Sequence, residues 1–240
     1  MGNKTAEYQN LVKHYTSQID KTVIAGLPCF EDHGREVTLV DDHNLDLAVH
    51  DLLQARYLGF DTESKPNFKK GEKSNGISII QISSSSKCYI FQMNKITDAS
   101  VLGELVMHEK SIKIGVGLKD DLNKLRSDYQ FHPAGFVDLG KIFRAFGRKN
   151  SVGSKQLVAL VLNQKLRKSK RATTSNWAVE KLSPLQIEYA SDDAFSSVDA
   201  YLRLRAVFEP YSELLDKRIL KLLDLQHIEN SYSPSRASCS

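Results

Sequence analysis

The sequence predicts an α/β domain in which helices flank a mixed β-sheet, and three observations carry that expectation. An apolar run over 57–60 leads straight into Asp61 and Glu63, the pattern of a strand leaving a core. Two further apolar runs, 77–82 and 88–92, are joined by Ser83-Ser84-Ser85-Ser86-Lys87 and read as a hairpin. From residue 100 onward helical and strand patterns alternate, which sets helices against a sheet.

In chain order, 1–34 read as a helical lead-in, with a weak helical period over 6–19. Val37-Thr38-Leu39-Val40 reads as a strand, after which Asp41 or Asp42 is expected to cap a helix carrying Leu45, Leu47, Ala48 and Leu52. The acid-bearing strand at 57–63 is followed by a polar loop with Pro66, Lys69, Lys70, Gly71 and Lys73. Beyond the hairpin, a helix over 100–108 precedes the strand Ile112-Lys113-Ile114. Gly115-Val116-Gly117 then opens a helix with the apolar stripe Leu118, Leu122 and Leu125, for which Asp120 is a candidate cap. Helices are expected over 154–162 and 184–208; Pro184 falls in the first turn of the latter, where its missing N–H does no harm. Residues 35–210 are thus expected to form one sizeable domain, 211–229 a C-terminal helix, and the serine-rich 230–240 a disordered tail.

Composition narrows the class. Hydrophobic residues at 41% and charged residues at 26% are those of an ordinary soluble globular protein, and no apolar stretch approaches membrane-spanning length. A net charge of +4 permits an anionic partner without demanding one, so any nucleic-acid argument rests on local clusters. Cys29, Cys88 and Cys239 lie too far apart for a C-x-x-C zinc site, and Cys88 is expected to be a buried thiol. The first residues hold no signal-peptide core, so a soluble intracellular protein, nuclear or cytoplasmic, is expected.

Three short segments carry chemistry. On a strand, Asp61 and Glu63 share a face at i and i+2. On a helix, Tyr189 and Asp193 share a face at i and i+4. Between them Asp121 stands in the first turn after Gly115-Val116-Gly117. That glycine pair lacks the third glycine of a dinucleotide-binding fingerprint, whose place Asp120 takes. Singly, each acid has an ordinary reading as a cap or a solvated side chain. Gathered in a core, like charges need something positive between them, and hard divalent cations suit carboxylate oxygens. The reading is a two-metal phosphoryl-transfer site.

The set Phe60-Asp61-Thr62-Glu63, Ile80-Gln81-Ile82, Gly115-Val116-Gly117 through Asp121 and Leu125, Ser175-Asn176-Trp177, and Tyr189-Ala190-Ser191-Asp192-Asp193 resembles the DEDDy-type 3′–5′ exonucleases. That family holds ribonuclease D and the proofreading domains of family A polymerases, and the likeness is nearest to its Werner syndrome exonuclease domains. It spans about residues 35–208. The resemblance implies a ribonuclease-H-like fold and two divalent cations, Mg²⁺ or Mn²⁺. Asp61 would bridge them, Glu63 and Asp193 would hold the one that activates water, and Asp121 would reach the other through water. Tyr189 would hydrogen-bond the attacking water or the scissile phosphate, and Asp120 and Asp192 fall off the pattern. Ser64 stands where several relatives carry an aromatic, which removes a stacking face there.

The partner implied is nucleic acid, as a single-stranded 3′ end or the recessed or overhanging end of a duplex. The densest basic run, Lys165-Leu166-Arg167-Lys168-Ser169-Lys170-Arg171, offers Lys168, Lys170 and Arg171 to backbone phosphates, against the plain alternative of a solvated face. Lys65, Lys69, Lys70 and Lys73 form a second basic candidate. Trp177 is expected chiefly to pack, with nucleotide stacking as its other role. The expected activity is release of 5′-mononucleotides from DNA. An exoribonuclease of ribonuclease D type and a catalytically silent binding module are the alternatives.

Overall fold

The computed structural model describes residues 2–67, 75–167 and 170–226. Helices α1 (Gly2–Thr16) and α2 (Lys21–Gly26) lead to strand β1 (Glu36–Val40), helix α3 (Leu45–Leu53) and strand β2 (Tyr57–Ser64). The hairpin β3 (Ile77–Ser83) and β4 (Lys87–Gln92) follows, then α4 (Ser100–Met107), β5 (Ile112–Gly115) and α5 (Lys119–Tyr129). Next come β6 (Phe136–Asp138), α6 (Leu139–Ala145), α7 (Ser154–Leu162), α8 (Lys170–Thr173), α9 (Pro184–Phe208) and α10 (Lys217–Leu222). The six strands form one mixed sheet in the order β1-β4-β3-β2-β5-β6. The β2-β3 and β3-β4 pairings are antiparallel; β1-β4, β2-β5 and β5-β6 are parallel. The expected α/β architecture is present.

Each face of the sheet carries its own core. On one, α9 lies across the strands with α6, α7 and Tyr15 of α1, burying Phe195, Tyr201, Phe143, Leu157 and Trp177. On the other, α3, α4 and α5 bury Leu52, Leu102 and Leu125 against Phe60, Ile80 and Phe91. Alternation along β2 and β3 feeds both, because successive side chains point to opposite faces. Cys88 is buried, as expected.

Several local expectations are corrected. Asn44, rather than Asp41 or Asp42, occupies the N-cap of α3. Asp42 instead accepts hydrogen bonds from the Thr97 amide and hydroxyl, pinning the chain before α4. Leu118, not Asp120, is the N-cap of α5. In place of one helix over 211–229, a 3₁₀ stretch (Glu209–Leu214) and the short α10 follow α9, divided at Leu215, whose backbone is extended. The expected tail, and residues 227–229, lie outside the described residues.

Lys113 lies wholly buried in β5, donating from Nζ to the His108 carbonyl at 2.6 Å, with no acid among the described residues as partner. Burial pushes its pKa down to about 8 from an ordinary 10.5. The unfolded chain therefore binds this proton more tightly, and stability rises with pH between about 8 and 10.5. Lys113→Met is expected to raise the melting temperature at pH 7, with the gain shrinking toward pH 9.5 in paired thermal melts. A gain that widens with pH would contradict the assignment.

Candidate active site

Close approach of backbone to backbone builds the site. A Cβ on Gly59 would stand 1.8 Å from the Ala194 carbonyl oxygen, so only glycine lets α9 rest on β2 there. The odd-numbered residues of β2 share that face, which turns Asp61 and Glu63 toward α9. The helix in turn starts at a fixed place. Ser183 and Gln186 form a reciprocal capping box, with Pro184 in the first turn. The phase of Asp193 follows from that start. A carboxylate oxygen from each of Asp61, Glu63 and Asp193 lies within 4.8 Å of the other two. Three oxygen donors converging in this way suit a hard divalent cation, so the residues present fit the expected metal.

Asp121 stands apart from that trio. Thr62, whose side chain leaves β2 on the opposite face, donates from Oγ1 to Asp121 Oδ1 at 2.5 Å. Burial pushes the Asp121 carboxyl up, and the Thr62 hydrogen bond opposes that shift. The turn before α5 is held by Asp138, whose Oδ1 accepts from the Gly117 amide at 3.1 Å and the Gly140 amide at 2.8 Å. Gly117 has φ +73°, the left-handed region that favours glycine. The fourth acid is thus fixed beside the acid-bearing strand and does not belong to the group whose oxygens converge within 4.8 Å.

Tyr189 lies one helical turn before Asp193, its ring centroid 5.7 Å from that of Trp177. Trp177 is only 1% exposed, so it packs behind Tyr189 and presents no face to a nucleotide. A cavity of about 80 Å³ opens among Asp61, Val116, Ser154, Asp193 and Ser197. Sequence reasoning did not single out Ser154 or Ser197. For Ser197 a signal existed, since it follows Asp193 at i+4 and donates to the Asp193 carbonyl at 2.8 Å. Asp192 points elsewhere, into a second pocket with Phe30, Asp32, Arg167 and Glu188. Burial first, and then the charges of Glu188, Asp193 and Asp32, push its carboxyl up to about 7.

The basic run is partly committed to the protein itself. Lys165 donates to the Ala25 carbonyl at 2.6 Å, and Arg167 pairs with Glu188 at 2.9 Å. Arg171 is exposed. Lys168 lies outside the described residues, as does the side chain of Lys170. Of the second basic group Lys65 is exposed, and Lys69, Lys70 and Lys73 lie outside the described residues. No helix among the described residues is long and apolar enough to cross a membrane.

Residues 37–209 match a family model described as a 3′-5′ exonuclease. The chain belongs to the 3′-5′ exonuclease family. The bifunctional 3′-5′ exonuclease/ATP-dependent helicase WRN of Mus musculus is 33% identical over 150 residues, covering 61% of this chain and 11% of that protein. Among solved structures, the Aedes aegypti Nibbler EXO domain superposes with a TM-score of 0.66 at 24% identity, covering 82% of this chain and 98% of the other. Escherichia coli RNase D, described as an exoribonuclease involved in structured RNA processing, gives a TM-score of 0.65 at 19% identity over 82% of this chain and 50% of its own. The exonuclease family thus brings with it the RNase D-type fold. The chain spans about half the length, or less, of the first curated relatives it matches.

Proposed function

We propose that this chain is a metal-dependent 3′–5′ exonuclease that hydrolyses phosphodiester bonds from the 3′ end and releases 5′-mononucleotides. The observation that carries the proposal is the convergence of Asp61, Glu63 and Asp193, with Tyr189 one turn away on the same helix, in a member of this family. Asp61, Glu63 and Asp193 would hold one Mg²⁺ or Mn²⁺, and Asp61 with Asp121, the latter through water, a second. When bound, two such ions lower the pKa of water and neutralise charge on the attacking and leaving oxygens. The chain's own part is to fix those ligands, to set the terminal phosphodiester beside them and to orient the water. Tyr189 suits that last task because a phenol both donates and accepts a hydrogen bond. The convergence of three carboxylates weighs against a silent binding module.

DNA is the proposed substrate, with RNA as the alternative that the RNase D likeness supports. Matched 3′-labelled and 5′-labelled DNA and RNA oligonucleotides, digested with Mg²⁺, Mn²⁺ or EDTA, separate the two. Early release of label as mononucleotide is expected from the 3′-labelled strand only, and none in EDTA. Shortening from the 5′ end, or activity that survives chelation, would refute the proposal. Tyr189→Phe removes a positioning hydroxyl and no ligand. It is expected to lower kcat about 10²-fold, the scale of one lost transition-state hydrogen bond, while Mn²⁺ binding is unchanged. Loss of Mn²⁺ affinity would assign Tyr189 to the ligand set instead.

A further inference from the structure

Gln81 is fully buried, and neither Nε2 nor Oε1 of its carboxamide has a hydrogen-bond partner among the described residues. Such groups are destabilising, because the desolvation of each buried polar atom is not offset by a hydrogen bond. Its neighbours Ile80 and Ile82, equally buried, carry no such cost. Gln81 stands directly opposite Asp61 in the antiparallel β2–β3 register. Residues so paired share a face of the sheet, with Cβ atoms about 4.5–5.5 Å apart. That face is the one α9 covers. One row further down, the Ser83 hydroxyl lies 2.8 Å from where a Gly59 Cβ would be, beside the Ala194 carbonyl. Ser83 Oγ is also buried without a partner. Three unsatisfied polar atoms therefore line the sheet behind Asp61, under the helix that carries Asp193.

We infer that Gln81 is a positioning residue for Asp61 in the cation-loaded site, an assignment that rests on the exonuclease reading above. Its Nε2 donates to the Asp61 carboxylate from the sheet side, while Oε1 accepts from the Ser83 hydroxyl two residues along the same face. Those two hydrogen bonds would satisfy all three atoms. The chemistry favours an amide here. An ammonium or guanidinium beside Asp61 would compete with the cations for its oxygens, and a further carboxylate would add repulsion to an acidic trio. A neutral N–H fixes the direction of the carboxylate and leaves its charge for the metal, as groups behind metal ligands generally do.

The test uses Gln81→Leu and Gln81→Met, the second keeping the unbranched length should the first fail to fold. Three measurements are made on each: thermal melting, Mn²⁺ binding by calorimetry without nucleic acid, and kcat and KM on an oligonucleotide that the wild type shortens. Melting temperatures at or above wild type are expected, since unpaired polar atoms are removed. Mn²⁺ affinity should weaken about 10-fold and kcat fall about 10-fold or more, with KM within about twofold. Wild-type Mn²⁺ affinity in both variants overturns the assignment, whether or not the melting temperature falls, because core packing alone would then explain Gln81. A wild type that neither binds Mn²⁺ nor shortens any oligonucleotide fails the exonuclease reading itself, and the assignment falls with it.

Discussion

Asp61→Ala and Asp193→Ala are each expected to abolish release of mononucleotides while leaving the protein folded. The two carboxylates lie with Glu63 in a group whose oxygens are within 4.8 Å of one another, so without cations they repel. Removing one should leave the melting temperature in EDTA at or above that of the wild type. The activity loss is expected at roughly 10³-fold or more, because the variant forfeits the charge stabilisation of an in-line displacement rather than one contact. Turnover within about tenfold of wild type in saturating Mg²⁺ would exclude a site built on these acids. Loss of the fold in EDTA would instead show that they serve the core.

Gly59→Ala should be nearly as damaging, though it touches no ligand. The added methyl would meet the Ala194 carbonyl oxygen at 1.8 Å and its carbon at 2.7 Å, and neither backbone atom can turn aside as a flexible side chain would. α9 must then lift from β2, carrying Asp193 away from Asp61. Overpacking of this kind costs about 1–3 kcal/mol, whereas displacing a reacting group by about 1 Å costs roughly 10²-fold in rate. Activity should therefore fall much further than stability. Gly26→Ala is the control, since nothing lies within 4 Å of a Cβ there. If Gly59→Ala retained wild-type kcat, the close approach would not be what sets the site.

What the sequence made legible follows from how local each signal is. Asp61 with Glu63, and Tyr189 with Asp193, were readable because strand and helix periods alone decide which side chains share a face. The hairpin and the 184–208 helix were readable for the same reason, the latter helped by Pro184 at its start. Less was visible wherever the partner is distant in sequence. Nothing near Gly59 announces Ala194, and nothing near Asp121 announces that Thr62 will hold it. Lys165 and Arg167 look like free cations until the segment 25–31 folds back on them. β6 went unread because three residues are too few to show alternation. The α3 cap was misassigned because Asp41, Asp42 and Asn44 are all competent, and the Thr97 contact that engages Asp42 lies 55 residues away.

The 25-residue α9 has a mechanical consequence. Tyr189 and Asp193 ride on one uninterrupted rod, about 6 Å apart along its axis. Their separation is set by helix geometry and cannot be tuned from outside. Whatever shifts the rod by a fraction of a turn moves both together, away from a strand that stays with the sheet. Such a site has no gradual intermediate settings in which the hydroxyl is placed and the carboxylate is not. The pair is in gear or out of it, and Gly59, where the rod rests on the sheet, is the bearing that decides which.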